Sequence, residues 1–157
     1  MVGLTAGDEL LGHDRIELVC DGLDTLAEVA INGRPLGRAE NAFRQYRWDV
    51  KDALVEGENL VTVVFPSTVN MIRQKQAMQP LTGPSQAIPG GPYARKAPSQ
   101  FGWDWGPQLP PIGIWKEMRL EAASYARLTD VHLWQHHDGG AVTVSAKVDV
   151  ERWSGGS

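Results

Sequence analysis

Hydrophobic and polar residues alternate with a period of two near the start of the chain, as they do on a half-buried β-strand. Residues 15–20 place Ile, Leu and Cys side chains on one face and predict such a strand. A second alternating run, over residues 27–31, leads into Asn32-Gly33, a dipeptide suited to the positive φ angles of a tight turn. Because the chain returns through Leu36, the pattern predicts a β-hairpin.

Two more strands and one helix are predicted before the middle of the chain. Aromatic residues over 43–50 and an apolar run over 60–65 indicate strands, so that four β segments, with the hairpin counted as one, precede Pro66. The stretch 68–79 is the only one with a helical pattern, and Pro80 ends it.

Residues 80–113 hold eight of the ten prolines, which is far too many for a regular element. The pattern therefore predicts a long, shaped loop. Its aromatic residues Phe101, Trp103 and Trp105 favour order over disorder, because such side chains become buried or contact a ligand.

Alternation resumes after the loop and predicts one strand over residues 113–122, followed by two strands around the turn Asp138-Gly139-Gly140. A hairpin does not form a stable sandwich alone. We therefore interpret residues 125–157 as the start of a second, truncated β domain, and residues 1–124 as the first domain.

Composition narrows the class of protein. The 157 residues are 42% hydrophobic and carry a net charge of −4 without a cluster of cations, which argues against a nucleic-acid partner. No apolar run reaches the roughly 18 residues that cross a bilayer, so no membrane partner is expected. The single cysteine, Cys20, excludes an internal disulfide, is expected to be buried, and fits a reducing compartment such as the cytoplasm.

The segment FGWDWGP, residues 101–107, is the strongest chemical motif. A sugar presents hydroxyl groups at its edge and polarised C–H groups on its faces. Asp104 could accept hydrogen bonds from two adjacent hydroxyls, and Trp103 or Trp105 could pack against a face. In the alternative interpretation, both indoles fill a core under the loop while Asp104 caps a backbone turn.

Other candidates are weaker. Arg95-Lys96 could pair with Asp104 or another acid, or could simply tether the loop. A metal site is not favoured, because neighbouring side chains on a strand point apart; its candidate ligands are His132, His136, His137 and Asp138. No two acids are placed by local spacing as an acid and a nucleophile, so no catalytic residue and no cofactor are predicted.

Four segments in this order resemble the β-mannosidases of glycoside hydrolase family 2: residues 13–50, 56–65, 95–107 and 113–122. The hairpin GLDTLAEVAING is shared widely within that family, including β-galactosidases and β-glucuronidases. FGWDWGP is typical of the β-mannosidase branch.

The resemblance implies an all-β fold. Residues 1–124 would form a galactose-binding-like jelly-roll β-sandwich that lacks its first strands, and residues 125–157 the first hairpin of an immunoglobulin-like β-sandwich. The family's catalytic (β/α)8 barrel, with the two glutamates of retaining hydrolysis, is missing, so the chain alone is expected to be inactive.

By the same resemblance, Asp104 binds hydroxyls of a terminal β-D-mannose, with Trp103 and Trp105 beside it. The implied partners are a mannoside or manno-oligosaccharide and the missing barrel. Two alternatives stay open, namely a free-standing carbohydrate-binding module and a structural domain of another family 2 glycosidase.

Overall fold

The computed structural model describes residues 1–104 and 106–153. Its strands are β1 (Val2–Ala6), β2 (Arg15–Cys20), β3 (Leu23–Asp24), β4 (Ala27–Ile31), β5 (Arg34–Ala39), β6 (Tyr46–Asp49), β7 (Gly57–Val64), β8 (Gly113–Ile114), β9 (Met118–Ala123), β10 (Ala126–Asp138) and β11 (Ala141–Arg152). Its α-helices are α1 (Asp8–Leu11) and α2 (Thr68–Met78).

The pairings between these strands are antiparallel. A four-stranded sheet has the order β1-β7-β4-β5 and a three-stranded sheet the order β6-β2-β9, while β3 pairs with β8 and β10 with β11. One buried apolar cluster takes side chains from β2 and β4 together, so the two larger sheets share a core. The predicted all-β sandwich is confirmed.

The first hairpin forms as its turn chemistry predicts. Asn32 and Gly33 have φ angles of 50° and 78°, the region that the turn requires. The Asn32 side chain also accepts from the Leu60 backbone N–H at 2.9 Å and donates to Asn59 Oδ1 at 2.7 Å. The turn residue therefore fixes β4 to β7 as well as reversing the chain.

Two predictions about the strands are wrong. Four β segments were expected before Pro66, with the first hairpin counted as one, but seven strands precede it. The two-residue strand β3 was missed, and so was β1, which is a mostly exposed edge strand with little alternation. The half-buried pattern of β2 is also wrong, since Glu17 and Val19 are as buried as their neighbours. Arginine side chains cover the second face of β2.

The second hairpin, β10–β11, turns at Gly139 and Gly140, as predicted. One of its faces is apolar and remains about half exposed along most of its length; its members include Val131, Leu133, Val142, Val144, Val148 and Val150. That this hairpin begins a second domain stays a prediction.

A buried carboxylate joins the root of this hairpin to the sandwich. Glu17 accepts hydrogen bonds from Arg47 Nε at 3.0 Å and from Arg127, and forms an ion pair with Arg15 at 3.1 Å. Arg127 and Arg15 also bind Glu151 on β11, at 2.7 Å and 3.1 Å. The network therefore links β2, β6 and both strands of the hairpin.

Replacing Glu17 by Gln should lower the free energy of unfolding by about 2 kcal/mol, because three arginines would then surround a neutral amide. Urea unfolding of the 157-residue chain measures this. Glu28→Gln is the matched control, since the Glu28–Arg38 pair is exposed and its loss should cost at most about 0.5 kcal/mol. Equal losses in both variants would contradict a stabilising role for the network.

Protonation of Glu121 should also lower the free energy of unfolding in acid. The hydrogen bond from Arg47 lowers the pKa of Glu121 below its usual 4.5; burial opposes this, and a hydrogen bond from Arg119 reinforces it. A carboxyl with a depressed folded-state pKa stabilises the fold above its unfolded pKa, and that contribution is lost as the pH falls through the folded value.

Glu121→Gln should therefore make the unfolding free energy less dependent on pH between about pH 5 and pH 3. Urea unfolding at stepped pH measures the slope. Glu58→Gln removes an exposed carboxylate and controls for net charge. An unchanged slope in Glu121→Gln would show that this pair does not contribute to acid unfolding.

Candidate functional site

The segment between α2 and β8 is the long loop that the prolines predict. Where the structure describes this segment, it contains short 3-10 turns at Gly91–Tyr93 and Pro98–Phe101. We call residues 80–95 the outer arm and residues 97–110 the inner loop, which carries the FGWDWGP motif.

Polar contacts hold the outer arm to α2. The Gln76 side chain exchanges two hydrogen bonds of 3.0 Å with the Leu81 backbone, and the Tyr93 hydroxyl donates to the Gln79 carbonyl at 2.5 Å. Gly90 has a φ of 87°, and a Cβ there would lie 2.8 Å from the Ile72 carbonyl oxygen. The outer arm thus approaches the helix more closely than a larger residue at position 90 would allow.

Phe101 anchors the start of the motif. Its side chain is 2% exposed and packs with Ile72 and Ala94. Its carbonyl accepts from the Ile88 N–H at 2.9 Å. Phe101 therefore fills space under the loop.

Lys96 lies at the neck of the inner loop, which is the place where the flanking residues Lys96 and Pro111 meet. Its side chain is fully buried, and its ammonium donates to the Asp24 carboxylate and to the Pro111 carbonyl at 2.5 Å. Lys96 therefore tethers the loop and pairs with Asp24, whereas Arg95 is exposed. For Lys96 the prediction of a pairing with an acid other than Asp104 is therefore confirmed, and the same side chain also tethers the loop.

The motif reverses the chain at its tip. The backbones of Trp103 and Gly106 bond to each other in both directions, at 3.5 Å and 3.4 Å, and Asp104 lies between them. Gly102, with a φ of 92°, leads into this reversal, and a Cβ there would lie 2.5 Å from Gln108 Cγ.

Asp104 is exposed at this tip. No residue in the described part of the chain donates a hydrogen bond to its carboxylate or forms an ion pair with it. The Trp103 indole beside it is 38% exposed. The candidate site therefore places the Asp104 carboxylate next to the partly exposed Trp103 side chain. The third predicted residue, Trp105, lies outside the described residues.

A cavity of about 800 Å³ lies next to the tip, between the outer arm and the inner loop. Trp103, Phe43 and Phe101 supply aromatic lining and Arg95 a cation. Pockets of this size and largely apolar lining suit small organic ligands. Trp103 belongs both to this cavity and to the tip that carries Asp104.

The other candidates have different surroundings. Cys20 is buried as predicted, and burial raises the pKa of its thiol to about 11, which keeps the thiol protonated. The described residues contain no group of three or more His, Cys, Asp or Glu side chains arranged to hold a metal ion. Nor does any described helix have the length and apolar character needed to cross a membrane.

Sequence reasoning missed the acidic partner of Lys96. Asp24 and Lys96 are 72 positions apart, so no local spacing reports their contact. One signal was available in the sequence, because both residues lie in segments that resemble the family. Asp24 lies in the hairpin GLDTLAEVAING, and Lys96 lies shortly before FGWDWGP.

Comparisons with known proteins show which family the chain is similar to. Residues 3–116 match the family model described as glycosyl hydrolase 2 galactose-binding domain-like. The chain is 36% identical over 147 residues to β-mannosidase B of Emericella nidulans and 32% identical over 144 residues to β-mannosidase of Capra hircus. These alignments cover 87% of this chain in both cases.

A crystal structure of the β-D-mannosidase from Dictyoglomus thermophilum superposes with a TM-score of 0.88 at 33% identity, over 96% of this chain and 19% of that one. The chain spans 17% of the length of the Emericella nidulans enzyme and 16% of the Capra hircus enzyme. The chain therefore belongs to the glycosyl hydrolase 2 galactose-binding domain-like family, and these two curated relatives are β-mannosidases.

Proposed function

We propose that this chain supplies the substrate-binding loop of a β-mannosidase, a retaining glycosidase that removes terminal, non-reducing β-D-mannose residues. One observation carries the proposal. The Asp104 carboxylate is exposed at the tip of the inner loop, and none of the described residues forms a hydrogen bond or an ion pair with it. A carboxylate that had a structural role would be expected to bind its own domain.

The chemistry of a sugar suits this tip. The two carboxylate oxygens of Asp104 can accept from two neighbouring hydroxyls, and such charge-assisted hydrogen bonds are about twice as strong as neutral ones. The Trp103 side chain, which is partly exposed, can pack against the C–H groups of the same ring. Both contacts select an orientation of the sugar.

The way the loop is held supports the same role. Phe101, the outer arm and the neck fix the segment before and after Asp104, so little conformational freedom would be lost on binding. An acceptor that is held in place also stays aligned while charge develops in the transition state.

The reacting carboxylates would lie on another part of the enzyme. The acids near the network on β2 and β9 are engaged by arginines; Glu17, Glu121 and Asp21 are all bound in this way. A retaining pair needs two carboxyl groups about 5 to 5.5 Å apart across the scissile bond. We propose that a catalytic barrel supplies them and that this chain alone has no turnover.

Asp104→Asn tests the proposal in a chimera in which residues 1–153 replace the aligned segment of the Dictyoglomus thermophilum enzyme, hereafter the mannosidase chimera. The loss of a charged acceptor to two hydroxyls should lower kcat/KM on an aryl β-mannoside by roughly 30-fold or more. Steady-state kinetics measure this change.

Asp130→Asn, which neutralises an exposed carboxylate on β10, is the control and should keep full activity. Both variants should melt at the temperature of the parent chimera. A folded Asp104→Asn variant with normal kcat/KM would contradict the sugar-binding role of Asp104.

Binding by the 157-residue chain alone separates this proposal from a free-standing carbohydrate-binding module. Because the pocket would be open on the side of the absent barrel, we expect a dissociation constant above about 1 mM for mannose and β-mannobiose. Isothermal titration calorimetry measures it. A dissociation constant below about 0.1 mM would favour the binding module instead.

A further inference from the structure

One buried ammonium joins the two ends of the inner loop. Lys96 precedes residue 97, and Pro111 follows residue 110; the Lys96 Nζ lies 2.5 Å from the Pro111 carbonyl oxygen. Residues 97–110 fall within the range of about 6 to 16 residues that is usual for a compact Ω-loop with adjoining ends. Asp104 lies in the middle of this segment.

Backbone hydrogen bonds are poorly able to close this neck. Pro98 stands near one end of the inner loop, and Pro110 and Pro111 stand at the other. Proline has no backbone N–H, so these positions cannot donate across the neck. The Lys96 side chain provides the missing donor.

Asp24 makes this buried cation possible. A lysine with a fully buried side chain is costly unless a counter-charge and hydrogen bonds compensate for the lost hydration. The Asp24 carboxylate supplies the charge and also accepts from the Thr25 hydroxyl. Because Asp24 pairs with Gly113 between β3 and β8, the ammonium is fixed to the sandwich.

The two halves of the inner loop differ in their other anchors. The first half is held by Phe101, whose side chain packs under the loop. In the second half, the Gln108 side chain donates to the Gln86 carbonyl at 2.8 Å, which is a link to the exposed outer arm. Among the side-chain hydrogen bonds of the described residues, the Lys96–Pro111 bond therefore connects the second half of the loop to the buried part of the domain.

We infer that Lys96 is a positioning residue for Asp104, acting through the neck of the inner loop to hold the carboxylate in place. This inference rests on the proposed function of Asp104. The Lys96 ammonium is already bound to Asp24 and to the Pro111 carbonyl, so we expect its effect on substrate to be indirect.

Hydrogen exchange of the 157-residue chain tests the neck. Lys96→Met alone would leave Asp24 charged and buried, so Asp24→Asn/Lys96→Met is the informative variant, because it removes both charges together. The amides of Gln100, Gly106 and Leu109, which donate to loop carbonyls, should exchange roughly tenfold faster in this variant, while amides of β2 and β4 should not change.

Lys147→Met is the matched control, since it removes an exposed ammonium on the second hairpin and should leave the exchange of the loop unaltered. If the three loop amides exchange at an unchanged rate in the double variant, the inference that Lys96 holds the two ends of the inner loop together would be overturned. Faster exchange throughout the sandwich would assign Lys96 to general stability and would overturn a specific effect on the loop.

Kinetics of the mannosidase chimera test the link to Asp104. Asp24→Asn/Lys96→Met should lower kcat/KM by roughly tenfold, and adding it to Asp104→Asn should cause less than about a twofold further loss, because both changes remove the same contact. If the kcat/KM of the combined variant falls by the product of the two separate losses, Lys96 does not act through Asp104. Normal activity of Asp104→Asn would overturn the proposed function, whereas the exchange experiment would still report on the neck.

Discussion

The buried contact of Lys96 with Asp24 and the Pro111 carbonyl is the interaction on which the candidate site depends. Without it, the prolines that keep the inner loop irregular would also leave its ends without a bond across the neck. With it, one ammonium connects the loop, the strand pair β3–β8 and the sandwich. The exposed carboxylate of Asp104 is held out from the domain by a contact that is itself fully buried.

Buried charges lie where elements of this fold join, at two separate places. Glu17, with its arginines, links the central strand β2 to the root of the second hairpin, and Lys96 with Asp24 links the sandwich to the loop. Buried ion pairs contribute less to stability than apolar packing of the same volume, but removing one partner is costly. They therefore suit joints that must have one geometry, while the apolar cluster between the sheets supplies the general stability.

Turn dipeptides, prolines and alternating hydrophobic residues predicted the elements that depend on neighbouring residues in the sequence. The Asn32-Gly33 turn, the helix ending before Pro80, the long irregular loop and the second hairpin all appear in the structure. The edge strand β1 and the burial of both faces of β2 were not predictable in this way, because they depend on partners distant in the chain. For the same reason the sequence indicated Asp104 as the candidate acceptor but not the contact of Lys96 with Asp24, which determines how the loop is held.

A crystal structure of the mannosidase chimera with a non-hydrolysable mannoside in its pocket tests the central claim most directly. The account predicts both Asp104 carboxylate oxygens within about 3 Å of sugar hydroxyls, with the Lys96 ammonium still on the Pro111 carbonyl. An ordered sugar whose hydroxyls all bind other groups, with Asp104 turned to solvent, would contradict it.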